Sequence, residues 1–338
     1  MKTHDLFSKI HAAISRDQLI KPGDTLIIGL SGGPDSVFLL HFLASIQEQM
    51  NLKLIAAHLD HGWRADSAKD VQFCQGVADA LGVEFTAQKL SNLSTSLKFN
   101  GSLEDLGRQA RRHFLQVTMN QYQAQAIALG HHLQDQQETF FIRLMRGTSL
   151  SGLVGMRPRH GNFIRPLLSV SKDEILAYLQ EHQIPYLNDP TNDADTFLRN
   201  RIRQQVLPAL KACDARFEKS FLATMERLHA LESHLEHETT QLLERLTLCK
   251  FDKKGLDLKQ MTLLPPIMQE RLLIAWFCQE QIPFPPREQF LQEIMKFLHN
   301  PRGGSHAVHH AWSIGKKQNL IWIEKTLPSC TNNTPHVT

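Results

Sequence analysis

Ser31-Gly32-Gly33-Pro34-Asp35-Ser36 joins an apolar run, Thr25 to Leu30, to a second one that opens at Val37. The glycines allow a sharp turn, and Pro34 suits the first turn of a helix, where its missing N–H leaves no bond unmade. The helix start then offers unpaired N–H groups, the positive end of a dipole and two serine hydroxyls. Together these form a cradle for phosphate. Unlike a Walker A loop, this one holds no lysine. Asp35 would repel bound phosphates unless a divalent cation stood between them. The competing reading is a strand–turn–helix corner whose glycines serve geometry alone.

A second group lies in Ala128-Leu-Gly-His131-His132-Leu-Gln134-Asp135-Gln-Gln-Glu138-Thr139. Asp135 and Glu138, three apart at a helix start, share one face and could hold Mg2+, bind an ammonium group or accept a proton. Carboxylates also favour helix N-termini for dipole reasons, but the adjacent histidine pair points to chemistry. His58, Asp60 and His61, in Ala56-Ala-His-Leu-Asp-His-Gly-Trp-Arg64, read as nucleotide contacts, as a structural turn or as metal ligands. Zinc would need further ligands that the segment does not offer. Between Glu138 and Asp173 there is no acidic residue, while Arg143, Arg146, Arg157, Arg159, Arg165 and Lys172 stand among glycines. Arg199, Arg201 and Arg203 form another basic cluster, and Arg108, Arg111 and Arg112 a third. Any one could be a solvated helix face; the three together point to a polyanionic partner.

The elements that must position these residues alternate. Apolar strands are expected at Thr25–Leu30, Leu52–Leu59, Val83–Ala87 and Gln125–Leu129. Helices are expected at Asp35–Gln49, Asp66–Leu81, Leu103–Tyr122 and Asp135–Met145, with a polar loop running to about Gly101. This rhythm predicts an α/β fold, a doubly wound parallel sheet with ligand at the carboxyl ends of its strands. Each candidate group falls just after a strand.

Beyond Ala212 the chain changes character. Asp214 to Leu246 carries Phe217, Phe221, Met225, Leu228, Leu231, Leu235, Leu242 and Leu246 at near-heptad spacing, which predicts a long amphipathic connector helix. A small α-rich second domain follows, with helices at Leu263–Glu280 and Arg287–Leu298 and a closing hairpin at Trp312–Ile314 and Asn319–Ile323. His306-Ala-Val-His309-His310 has the look of a metal-ligand set, but no cysteine or carboxylate stands beside it. The expected division is a catalytic domain at 1–212, a connector at 213–250, a substrate domain at 251–328 and a polar tail at 329–338. A chain of 338 residues is too long for one comfortable core, in agreement with that division. Five scattered cysteines, with no CxxC pair, argue against a disulfide framework or a zinc ribbon. No apolar run is long enough to span a membrane and the first turns lack a secretory segment, so a cytoplasmic protein is expected. A net charge of +3 says little by itself; its distribution says more.

The hexapeptide resembles the fingerprint of the PP-loop ATP pyrophosphatases, enzymes of adenine nucleotide alpha hydrolase-like fold that release pyrophosphate and transfer AMP to an oxygen. The hexapeptide is followed in register by His58–Arg64, Glu104-Asp-Leu-Gly-Arg108-Gln-Ala-Arg111, His131–Thr139 and Arg143-Leu-Met-Arg-Gly147. Leu153-Val-Gly-Met156, Arg165-Pro-Leu-Leu168, Asn188-Asp-Pro-Thr-Asn192 and Arg199-Asn-Arg-Ile-Arg203 complete the series. It is similar to the tRNA(Ile)-lysidine synthetase family over about residues 20 to 210. Gly255-Leu-Asp-Leu, Leu263–Arg271 and Pro285-Pro-Arg287 resemble that family's small tRNA-binding domain. The resemblance implies a C–N ligase that joins free L-lysine to C2 of the cytidine at the first position of the CAU anticodon of tRNA(Ile). It uses ATP and Mg2+ and passes through an adenylated tRNA. It also implies a catalytic set of Asp35, Asp135, Glu138, Arg111 and Arg203. Of these, Asp35 and Glu138 serve ATP–Mg2+, Asp135 serves lysine, and the two arginines serve phosphate or the activated base. Ser31, Gly32, Gly33, Pro34, Asp35, Ser36, His58 and His131 would hold the nucleotide. Arg108, Arg143, Arg146, Arg157, Arg159, Arg165, Arg199 and Arg201 would hold tRNA. Two positions depart from the family pattern: Gln134 stands where a second aspartate is usual, and Arg112 where an aromatic residue is common. Three other readings stay open. A tRNA sulfur transferase would need a persulfide-carrying cysteine or a CxxC pair. A small-molecule amide synthetase would not need the arginines. A degenerate nucleotide-binding module would dock on RNA without catalysis.

Overall fold

The computed structural model describes residues 3–63, 67–93, 103–188, 198–284 and 288–325. Arg64, most of the loop before Gly101, Asp189–Asn192, Pro285–Arg287 and the chain from residue 326 onward lie outside the described residues. The chain forms two units, Met1–His229 and Ala230–Thr338.

The first unit is built on a six-stranded sheet, of which β1 (Thr25–Gly29), β2 (Lys53–Asp60), β3 (Glu84–Lys89) and β4 (Ala126–Ala128) match the expected strands to within two residues. β5 (Arg159–His160) and β6 (Phe163–Ile164) extend it within the basic, glycine-rich segment. The order is β3-β2-β1-β4-β6-β5, parallel throughout except for the β5–β6 pair. From β1 the chain winds outward to β2 and β3, then returns to place β4 on the opposite flank. The strand order therefore reverses between β1 and β4, and a crevice opens there.

β1 explains why the sheet is covered on both faces. Leu26 and Ile28 pack into one layer and Ile27 into the other, all fully buried, because successive side chains of a strand alternate. The first layer contains α1 (Thr3–Arg16), α2 (Pro34–Met50), α3 (Ser67–Ala80) and α7 (Lys172–Glu181); the second contains α4 (Leu103–Gln121). α5 (Leu133–Met145) leaves the end of β4, and the short α6 (Leu150–Leu153) follows it. Leu133 of α5 packs on Phe221 and Met225 of α10 (Phe217–Leu246), the long helix expected from the heptad pattern.

Between α7 and α10 a single helical stretch comprises α8 (Leu198–Arg201), a π-helical turn at Ile202–Val206 and α9 (Leu207–Cys213). Pro208 accounts for the widened turn: it has no N–H to give, and its ring would strike the carbonyl four residues earlier in regular α geometry.

The boundary between the units falls inside α10. The second unit holds more strand than its sequence predicts. A five-stranded antiparallel sheet, in the order β7-β8-β11-β10-β9, is formed by β7 (Thr247–Lys250), β8 (Lys253–Asp257), β9 (Gly304–His309), β10 (Trp312–Lys317) and β11 (Leu320–Lys325). It shares a core with α11 (Leu258–Thr262), α12 (Pro266–Gln279) and α13 (Glu288–His299), centred on Leu272, Phe277, Ile294, Ile314 and Ile321. The expected closing hairpin is β10–β11, and the His306–His310 segment is largely strand β9. No helix among the described residues is long and apolar enough to cross a membrane.

Candidate active site

The Ser31–Ser36 loop leaves β1 and enters α2 with Gly33 at the N-cap and Pro34 at the first helical position. No side chain caps the helix, so its first N–H groups remain available to a ligand. The Ser36 hydroxyl donates to the Gly33 carbonyl at 2.9 Å and accepts from the Ser31 N–H and hydroxyl at 3.1 Å each, which closes the loop on itself. Gly130, at the end of β4, packs so tightly on this loop that a Cβ there would stand 2.9 Å from the Asp35 carbonyl carbon. The two strand ends that flank the crevice are thus locked together.

Around the loop lies a cavity of about 560 Å3, lined by Ser31, Asp35, His58, Arg111, His131 and Asp135 among others. Its apolar wall includes Leu30, Phe114, Leu115 and Leu129. The lysine missing from the loop arrives from a distant part of the chain. Lys172, the first residue of α7, places its Nζ 2.6 Å from Asp35 Oδ1. In the sequence Lys172 stands only as one more basic residue of the acid-free segment, and the absence of local acids is the sole local sign of its distant partner.

Asp135 lines the cavity, whereas Glu138 lies beneath it and is fully buried. Arg199 Nε reaches Glu138 at 2.5 Å, Arg203 Nε reaches it at 2.6 Å, and Arg199 Nη2 reaches Asp135 at 2.8 Å. Arg199 and Arg203 therefore point inward as a paired clamp on the two carboxylates. Burial opposes ionisation of Asp135. His132, His131, Arg199 and the His132 backbone N–H outweigh that penalty and hold its carboxyl below the usual range. His132 Nε2 sits between the two cavity carboxylates, 3.7 Å from Asp35 and 3.6 Å from Asp135.

Gln134 does not line this cavity. Its amide donates to Glu218 at 2.9 Å and accepts from the Lys172 backbone N–H at 2.7 Å. It ties the starts of α5, α7 and α10 together, a task that suits an amide because both donor and acceptor are used.

Burial lowers the pKa of three histidines at the cavity, His58, His61 and His131. His58 Nδ1 donates to the Leu30 carbonyl at 2.9 Å, and desolvation lowers its pKa despite that bond. Burial brings His131 down to about 4, and its Nδ1 is buried without a hydrogen-bond partner. His61 is brought to about 4 by burial and by the neighbouring Arg111, whose Nη2 donates to His61 Nε2 at 3.2 Å. Asp60 accepts from the Gly62 N–H at 2.8 Å, which shapes the turn after β2. Among the described residues no group of three or more His, Cys, Asp or Glu is arranged to hold a metal.

The remaining arginines divide by what they touch. Arg143 donates to the Gly152 carbonyl at 2.5 Å, Arg159 to Leu19 O at 2.5 Å and Arg165 to Arg157 O at 2.9 Å. A carbonyl satisfies a guanidinium without cancelling its charge, so these residues brace loops while keeping their field. Arg112 lies over the Phe163 ring at 4.9 Å, which gives a cation at that position an aromatic partner. Arg108, Arg146 and Arg201 are exposed.

The reversal of strand order, the uncapped loop and the carboxylates at its mouth define a nucleotide-binding α/β unit. The chain belongs to the PP-loop domain family, whose model matches residues 3–210. Its curated relatives include a tRNA(Ile)-lysidine synthase of Bacillus licheniformis, 33% identical over 319 residues, which cover 93% of this chain and 62% of that protein. Another, from Bacillus cereus, is 30% identical over 86% of this chain and 63% of the relative. A third, from Persephonella marina, is 28% identical over 94% of this chain and 69% of the relative. The chain spans about three-fifths of the length of the first two. Among solved structures, a U34-tRNA thiolase from Methanococcus maripaludis shares the fold, with a TM-score of 0.57 and 21% identity over 67% of this chain and 78% of that one.

Proposed function

We propose that this chain joins lysine to C2 of the first anticodon cytidine of tRNA(Ile) at the expense of ATP, forming lysidine. The observation that carries this reading is the opening of the phosphate loop and Asp135 onto one cavity where the strand order reverses, in a chain related to the lysidine synthases.

In the first step the C2 oxygen of cytidine attacks the α-phosphorus of ATP, and pyrophosphate leaves with the electrons of the broken P–O bond. The N–H groups at the start of α2 receive the phosphates, and Lys172 swings from Asp35 to their negative charge. Asp35, a half-buried hard-oxygen donor at the loop, fits Mg2+, which typically takes one or two carboxylates together with substrate phosphates. When bound, Mg2+ would neutralise charge on the phosphates. Asp35 would hold it, because both Glu138 oxygens are already engaged by arginine. In the second step the lysine ε-amine attacks C2 and gives up a proton to water, and AMP leaves with the C2–O electrons. Asp135, held ionised, orients an ammonium group of lysine, and Glu138 acts from below by fixing Arg199 and Arg203. Arg111, on the cavity wall, faces the phosphate or the activated base. Residues 251–328 are assigned to tRNA binding on their resemblance to the family's second domain.

Sulfur transfer on the same core fits less well. Cys74 packs under the loop, its Sγ 3.3 Å from where a Gly32 Cβ would stand, and burial pushes its thiol up to about 12, so it is no nucleophile. The test is AMP formation with ATP, radiolabelled lysine and unmodified tRNA(Ile). Release of AMP that requires both lysine and tRNA, with label recovered in the tRNA, is expected. AMP release without lysine incorporation overturns the reading.

A further inference from the structure

Trp63 is a large aromatic residue left 52% exposed at the mouth of the cavity, where burial would ordinarily be favoured. It is nevertheless fixed in place. Its indole stacks on the His61 ring, with centroids 4.6 Å apart and planes 25° apart. Its far edge rests on the backbone of α4 at Gly107, where an added Cβ would come within 2.6 Å of the ring. His61 is in turn held by the Arg111 guanidinium, and with its pKa at about 4 the imidazole stays neutral, so a neutral two-ring stack stands at the rim.

A rigid, half-exposed aromatic face beside an arginine is the arrangement that receives an unstacked nucleobase. Two bases would enter this cavity. The adenine of ATP is served by the apolar wall of Leu30, Phe114, Leu115 and Leu129, next to the phosphate loop. The rim, open to solvent, is left for the other base. We infer that Trp63 is a stacking platform for the unpaired RNA base that undergoes modification, with His61 and Arg111 as its support. This inference rests on the RNA-modifying reading above and adds to it the residue that positions the base.

The test uses the full chain and an anticodon stem-loop of tRNA(Ile), either intact or abasic at the modified position. The chain has four tryptophans, so the signal from Trp63 is the difference in emission between wild type and Trp63→Phe. The intact stem-loop is expected to quench that difference signal, whereas the abasic stem-loop and ATP alone leave it unchanged. Trp63→Ala is expected to weaken binding of the intact stem-loop about 5- to 150-fold. Trp63→Phe should recover part of that loss, and ATP affinity, which reports an intact fold, should be retained in both variants. Quenching by ATP alone would assign Trp63 to adenine and overturn the inference. Equal quenching by intact and abasic stem-loops, or unchanged affinity in Trp63→Ala, would overturn it too. If the wild type forms AMP in a lysine- and tRNA-dependent way while Trp63 proves silent, only the platform fails; if the wild type forms none, the lysidine reading itself fails.

Discussion

Glu138 in the first unit and Glu232 in the second are withdrawn from solvent to the same degree, 0% and 1% exposed, and each accepts hydrogen bonds from arginine. Their surroundings differ. Arg271 meets Glu232 with both terminal nitrogens, at 3.0 and 2.9 Å, and the pair is closed on itself. Glu138 instead holds two arginines, one of which also reaches Asp135 at the cavity wall, so its charge is relayed to a site that opens to solvent. Lys316 extends the contrast. It is 4% exposed and donates to the carbonyls of Phe297, Leu298 and Asn300, closing the C-terminal end of α13. Buried charge thus serves two ends here. In one case its partners are fixed within the fold; in the other its network ends on a cavity that a ligand can enter.

The largest effect should come at the cavity onto which that network opens. Asp35→Ala removes a carboxylate from a loop whose backbone does not depend on it, so the fold and tRNA affinity should stand. AMP formation should fall by about 10² to 10³ or more, the scale of losing one preorganised electrostatic group. Steady-state AMP release checks this, and near wild-type turnover would remove Asp35 from the site.

Next come the two buried glutamates, changed one at a time to the isosteric Gln. Breaking a buried pair costs several kcal/mol, and the partly exposed arginines around Glu138 recover some of that by hydration. Each variant should lose about 2–4 kcal/mol in denaturant unfolding. The comparison predicts a split: Glu138→Gln also loses ATP affinity and AMP formation because Arg199 and Arg203 drift, while Glu232→Gln keeps its ATP affinity. Equal losses of ATP affinity in both would erase the distinction.

Much of this architecture is legible in the sequence, and the parts that are not share a cause. β1, α2 and α5 declare themselves because Leu26–Ile28, Val37–Leu43 and the Asp135 helix start carry strong local patterns. β5 and β6 are two residues long, too short for any period to register. The β7–β8 hairpin turns at Phe251 and Asp252, with φ of 55° and 56°, where glycine or asparagine would have advertised the turn. The paired histidines around β9 mimic a metal motif and hide a strand. In the site, the candidate residues were read from local motifs, and what those motifs could not show is their partners. Arg199 meets Glu138 across 61 positions and Lys172 meets Asp35 across 137, separations that leave no local trace. The absence of acids between Glu138 and Asp173 suggested freely available arginines, but backbone carbonyls take up several of them, and carbonyls are invisible to composition.

A smaller effect is expected at Lys316. Lys316→Met keeps the aliphatic stem and removes the donors that close α13. The second unit should lose about 1–3 kcal/mol, the cost of leaving buried carbonyls without a partner. ATP affinity should not move. Thermal unfolding followed beside ATP titration checks both halves, and a drop in ATP affinity would show that the buried lysine reaches the nucleotide.

The smallest effect tests the same contrast at the surface. Arg146 and Arg159 are both exposed in one acid-free segment, but Arg146 stands at the end of α5 while Arg159 binds the carbonyls of Gln18 and Leu19. Each RNA phosphate contact releases counterions and adds about 0.7 to 0.9 to the slope of log K against log salt. Arg146→Gln should therefore weaken tRNA binding a few-fold at low salt and flatten that slope by about one contact's worth. Arg159→Gln should change the slope less and cost stability instead, because its donors hold a loop. Filter binding from 50 to 200 mM salt, the range over which such contacts are resolved, separates the two. If Arg159→Gln flattens the slope as much as Arg146→Gln and leaves stability unchanged, then carbonyl-bound guanidinium groups also grip RNA, and the line drawn here between bracing and binding arginines does not hold.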